Sequence, residues 1–278
     1  MDNMKTHKRK YKGGTVFEGS EGCVFTPELK SKNGVFSSKY PTRSGKFVTK
    51  IYVRPEDMKT EIQGIALMKQ VDPTGQYTKT FIDVDSKPDI TSILPTEKCT
   101  KPITANSPAL YMYYGGISIQ ALRKSGLYLV LKDVLLGLSN LVPLFIKMSE
   151  LNIYHTDVQP GNLLYNRADK RVYLIDFTSM KLMPGVTDKS TDIRSLANVI
   201  FNILINYKTQ IQPDSKCSDL LDIILSKSIQ NVSSTKDVEV IGTIITSTVS
   251  SVIATCMPRG GRRKTLRRSR HKIHRNMH

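Results

Sequence analysis

The chain has 278 residues, 39% hydrophobic and 23% charged, with a formal net charge of +17. That size and composition can bury a real core, as one two-lobed domain or two small ones, and exclude a chain too polar to fold. The basic, polar start MDNMKTHKRKYKGG has no apolar run behind it, so no secretory signal is expected; Cys23, Cys99, Cys217 and Cys256 show no C-x-x-C spacing, which suggests neither a zinc site nor a disulfide framework and makes a reducing, intracellular setting the default.

The charge belongs mostly to the ends. Residues 1–12 hold five bases against Asp2, and residues 259–278 hold nine Lys/Arg and no acid. The expected organisation is a basic arm over 1–13, a folded region over 14–257 and a disordered basic tail over 258–278.

In chain order, TVFEGSEGCVFTP reads as strand, turn, strand. Gly19 and Gly22 allow close backbone approach in that turn, and an ordinary hairpin turn suits them equally. Residues 28–46 form an extended loop or hairpin, in which Ser44-Gly45-Lys46 lacks the flanking residues of a Walker loop. FVTKIYV is a strand carrying Lys50, which either faces water or holds an anion. A helix starts at Pro55, a good first-turn residue, and runs to about Gln70. Glu56 and Asp57 favour its N-terminus. Glu61 shares an apolar stripe with Met58, Ile62 and Ile65, and a buried carboxylate needs a cation, for which Lys50 is the natural partner.

Residues 72–108 are polar and irregular, with one or two strands and no chemistry to assign. PALYMYYGG is a strand entering a Gly-Gly turn. Residues 127–153 show one long helical pattern through Leu131, Val134, Leu135, Leu138, Leu141, Val142, Phe145 and Met148, kinked at Pro143.

That helix leads into HTDVQPGNLLYNRADKRVYLIDFTS, residues 155–179. Asp157 is followed five positions later by Asn162, then by strand, turn, strand, and by Asp176-Phe177. A phosphoryl-transfer site needs this order of groups: a base for the incoming hydroxyl and two oxygen ligands for the Mg²⁺ that accompanies ATP. His155, the one histidine outside the tails, is read as structural.

Asp192-Ile193-Arg194-Ser195-Leu196 opens a helix with an apolar face through Val199, Ile200 and Ile203; further helices lie near 218–227 and from about Lys236 to Cys256. Residues 240–257 contain no charge, so a tail anchor is one reading. Their Ser/Thr content, and the gathering of Ile241, Ile244, Ile245, Val249, Val252, Ile253 and Cys256 on one face, favour an amphipathic closing helix, and no transmembrane segment is expected. The tail beyond suits nucleic acid, an anionic surface, a nuclear address or simple solvation.

Together these residues resemble the protein kinase superfamily. His155-Thr156-Asp157 with Asn162 resembles the H-R-D-x-x-x-x-N loop, Asp176-Phe177-Thr178 resembles D-F-G, and Gly19, Gly22 and Val24 resemble the end of the Gly-rich loop, with Phe17 in place of its first glycine. More narrowly, Gly22-Cys23-Val24-Phe25 with Pro27, Val48-Thr49-Lys50-Ile51, Asp72-Pro73, Gly115-Gly116 with Ser118 and the basic tail look like serine/threonine kinase-like proteins of large DNA viruses, which would place the protein in host cytoplasm, nucleus or virion.

The resemblance implies an α+β, two-lobed fold: an antiparallel-sheet N-lobe with one helix over about 14–114 and an abbreviated, mainly helical C-lobe over about 115–257. It implies Asp157 as catalytic base, Asn162 and Asp176 as Mg²⁺ ligands, Lys50 held by Glu61 on the ATP phosphates, Gly19, Gly22 and Val24 over the nucleotide, and the backbone groups of Tyr111, Met112 and Tyr113 at the adenine. Departures accompany it. Thr156 replaces the loop arginine that pairs with a phosphorylated activation loop. Gln159 replaces a lysine, which, if nothing replaces the charge, would cost about 2 to 4 kcal/mol of transition-state stabilisation, or about 10² to 10³ in rate, and slow the enzyme without silencing it. Thr178 replaces a glycine, and only 16 positions separate Asp176 from Asp192, as in RIO-type and other atypical kinases. Three function classes follow: a protein Ser/Thr kinase, an atypical or small-molecule kinase or ATPase, and a pseudokinase scaffold associated with nucleic acid through its tail.

Overall fold

The computed structural model describes residues 15–19, 21–29, 47–83, 90, 99–104, 106–211 and 215–257. Both basic ends and most of the 28–46 loop lie outside them, and with them the expectations about an N-terminal arm and a nucleic-acid-binding tail.

The fold is α+β. Strands β1 (Thr15–Glu18), β2 (Gly22–Thr26), β3 (Phe47–Tyr52), β4 (Phe81–Asp83) and β5 (Ala109–Tyr113) form an antiparallel sheet in the order β1-β2-β3-β5-β4. Strand alternation divides its side chains. Cys23, Phe25, Ile51 and Ala109 join Leu29 in a small cluster on one face, while Val48, Tyr52, Leu110 and Met112 enter the main core on the other. Helix α1 (Pro55–Val71) lies against the second face, with Glu56 and Asp57 in its first turn and Glu61, Gly64, Ile65 and Met68 buried.

The chain then passes through a turn held by Asp72, whose carboxylate accepts from the amides of Gln76 and Tyr77 and from the Thr78 hydroxyl at 2.8–2.9 Å. After β5 come β6 (Ile117–Ser118), α2 (Ile119–Ser125), α3 (Leu131–Ser139), α4 (Val142–Glu150), β7 (Ile153–Tyr154), β8 (Leu163–Asn166), β9 (Arg171–Leu174), β10 (Lys181–Leu182), α5 (Thr191–Lys208), α6 (Lys216–Ser234) and α7 (Val238–Cys256). β6, β8 and β9 form one small antiparallel sheet, β7 and β10 another. Lys147 of α4 donates to the carbonyl of Val71 at 2.6 Å, tying the end of α1 to the helical region.

Two expectations are corrected. The 127–153 pattern is not one kinked helix: a 3₁₀ turn over Leu127–Leu129 precedes α3, and the chain breaks at Asn140-Leu141, so Pro143 sits in the first turn of α4, where its missing N–H costs nothing. The cysteines do pair, Cys23 with Cys99 and Cys217 with Cys256. Partners 76 and 39 residues apart leave no spacing signature.

Helix α7 is long and apolar enough to cross a membrane by length and composition. Its Ile241, Ile245, Val249 and Val252 are nevertheless buried against other helices, and the Gly242 position lies so close to Val142 of α4 that a Cβ there would come within 2.7 Å of it.

Candidate functional site

A cleft of 430 Å³ lies between the β1–β2 turn and the loops that precede β8 and follow β9. Of the residues singled out in the sequence, Gly19, Gly22, Val24, Lys50, Glu61, Met112, Tyr113, Asp157, Asn162 and Asp176 line it. Tyr111 does not. It alternates with Met112 along β5, so its side chain turns to the other face and is fully buried.

Lys50 stands at the centre. Its ammonium lies 2.5 Å from Glu61, 3.3 Å from Glu21 and 3.6 Å from Asp176. Glu61 is 1% exposed and also accepts the Tyr52 hydroxyl, so the carboxylate that α1 buries has two partners delivered by one face of β3. Burial disfavours the charge on Lys50, but Glu61 and Asp176 outweigh it and raise its pKa above the usual lysine value. Burial likewise favours the neutral acid at Asp176, yet Lys50 and the Thr178 hydroxyl hold it below the usual carboxylate range. Glu21 is shifted upward by burial. The carboxylates of Glu21, Glu61 and Asp176 lie within 4.8 Å of one another, but with the ammonium among them they form an ion-pair cage rather than a cation site.

The loop bearing Asp157 is pinned from behind. Asp192, at the start of α5, accepts the amides of His155 at 2.6 Å and Thr156 at 3.0 Å, which satisfies a chain turning through a left-handed conformation at Thr156, φ 61°. His155 Nε2 contacts the Ile175 carbonyl at 3.0 Å, and the ring meets Phe177 edge-on. The structural reading of His155 agrees with this placement. Asp157 receives the Gln159 amide on both oxygens at 2.9 Å and the Asn162 amide at 2.8 Å. Asn162 thereby turns its nitrogen to Asp157, which leaves its carbonyl oxygen for another ligand. The Ile175 amide donates to the main-chain carbonyl of Asn162 at 3.0 Å, and the next residue, Asp176, takes a left-handed conformation with φ 66°.

Helix α1 reaches this turn directly. A Cβ at Gly64 would stand 1.9 Å from the Phe177 carbonyl oxygen, so only glycine permits that approach.

Sequence reasoning missed three contributors. Tyr52 lies two residues from Lys50 on the same strand face, a relation that period-2 alternation reveals. Asp192 was read only as a helix start. Nothing local marks Glu21, because a turn residue between glycines carries no facing pattern.

The chemistry available is a fixed cation at one side of the cleft, an amide-held carboxylate on its floor, and a carboxylate and an amide oxygen that line the same cleft, ligand types that a hard divalent cation prefers. Comparison with models of known protein families and with curated proteins finds no match to this chain.

Proposed function

We propose that the protein is an ATP- and Mg²⁺-dependent phosphotransferase with a two-lobed, protein-kinase-like architecture, acting on Ser/Thr hydroxyls of proteins. The observation that carries this reading is the convergence of the Lys50–Glu61 pair with Asp157, Asn162 and Asp176 on one cleft beneath a glycine-containing turn. Lys50, fixed by Glu61, would bind the phosphates; Asn162 and Asp176 would hold Mg²⁺, which neutralises charge on the phosphates when bound. Asp157 would orient the substrate hydroxyl and take its proton as the oxygen bonds to the γ-phosphorus and ADP departs.

A second reading, an atypical or small-molecule phosphotransferase, is favoured by the short run from Asp176 to Asp192, which β10 closes by pairing with β7 and which leaves little chain on which to lay a peptide. One assay separates them: purified protein with γ-labelled ATP, Mg²⁺, mixed proteins and a small-molecule panel, beside Asp157→Ala and Asp176→Ala. Label on protein that both substitutions abolish supports the first reading, and label on a small molecule the second. Nucleotide binding without turnover in any arm leaves a scaffold and sinks both. For the tail, the nine bases of 259–278 support sequence-independent nucleic-acid binding; deletion of these residues should weaken duplex affinity and flatten its salt dependence, and unchanged affinity would reject the idea.

A further inference from the structure

The hairpin over the cleft carries two acids that do different things. Glu18 turns to Thr100, accepting its amide at 2.5 Å and its hydroxyl at 2.8 Å. Glu21 turns inward to Lys50 at 3.3 Å. Its backbone is not free to choose otherwise: the Gly19 amide donates to the Gly22 carbonyl at 3.0 Å and closes the turn, and the Val53 amide donates to the Glu21 carbonyl at 2.8 Å. The Gly22 position is so close to β3 that a Cβ there would lie 1.9 Å from the Ile51 oxygen.

A lysine ammonium has three donors. In this protein Glu61 at 2.5 Å and Glu21 at 3.3 Å take two of them, while Asp176 stands beyond hydrogen-bond reach at 3.6 Å, so a phosphate that draws on the roof side of the ammonium must take the place of a carboxylate. Glu61 is locked by burial and by Tyr52, and Asp176 is held by the Thr178 hydroxyl at 2.9 Å. Glu21, on the roof and held by the longer of the two hydrogen bonds from Lys50, is the one whose departure frees a donor.

We infer that Glu21 is a built-in stand-in for a nucleotide phosphate: its carboxylate occupies Lys50 in the free protein, and a phosphate-bearing ligand binds only by expelling it. The inference rests on the phosphotransferase reading and adds to it a residue that sets nucleotide affinity. It acts on phosphates and not on the nucleoside, since adenosine has no group that must reach Lys50.

The test is titration calorimetry of Mg²⁺·ADP and of adenosine with the full chain, wild type beside Glu21→Gln and Glu21→Ala. Both substitutions should tighten Mg²⁺·ADP about ten- to a hundredfold, the release of one charge-assisted hydrogen bond, and leave adenosine affinity unchanged. ADP affinity that is unchanged or weaker in both variants overturns the gate while leaving the phosphotransferase reading intact. Equal tightening of adenosine also overturns it, as a general loosening of the roof. Failure of all three proteins to bind ADP overturns both.

Discussion

Glu61 is the residue whose chemistry is least free. A carboxylate 1% exposed has its polar partners in Lys50 and the Tyr52 hydroxyl, so removing the cation leaves it buried without a counter-charge. Lys50→Met should cost about 3 to 5 kcal/mol in urea unfolding, and the double substitution Lys50→Met/Glu61→Leu should recover most of that loss, because a buried pair replaced by apolar groups is often neutral. Asp157 behaves oppositely. It is only half-buried and its neighbours are amides, so Asp157→Asn should leave the unfolding midpoint within a few degrees while cutting turnover about 10² to 10⁴-fold, the usual worth of a positioned base. On the proposed function, stability and activity should therefore separate between two carboxylates of one cleft.

At the scale of elements, α1 couples the sheet to the Asp176 turn. Gly64→Ala should destabilise by about 1 to 3 kcal/mol, since the backbone of Phe177 must retreat. Glu61 lies one turn earlier on the same face, so the same substitution should also lower turnover, measured at saturating ATP. Helix α7 makes a separate case. Ile245→Ala should cost about 2 to 5 kcal/mol if the helix closes the fold as its buried face indicates; unfolding by denaturant with no loss would mean that this helix packs elsewhere.

Across the whole molecule, the two cysteine pairs staple distant segments. Cys23–Cys99 ties β2, next to the glycine turn, to the chain before β5, and Cys217–Cys256 ties α6 to α7. Thiol titration of protein denatured under a blocking agent should find no free thiol. Reduction of the 39-residue Cys217–Cys256 link should cost about 4 kcal/mol on the chain-entropy account. Four titratable thiols in freshly isolated protein would instead match the reducing setting expected from cysteine spacing.

The sequence by itself determined the strands that carry Val24, Lys50 and Met112, the helix from Pro55 and the Lys50–Glu61 pairing, because each rests on short-range information: periodicity, a proline at a helix start, a carboxylate on an apolar stripe that demands a cation. The tertiary structure alone decided the rest. Residues 109–112 of β5 are buried on both faces, so composition could not say that Met112 and not Tyr111 meets the cleft. The break at Asn140-Leu141 interrupts an apolar pattern that continues unchanged across it, and the cysteine partners and the inward turn of Glu21 depend on segments brought together from far along the chain. Local pattern fixes what a residue needs; which distant group meets that need is settled only when the chain closes on itself.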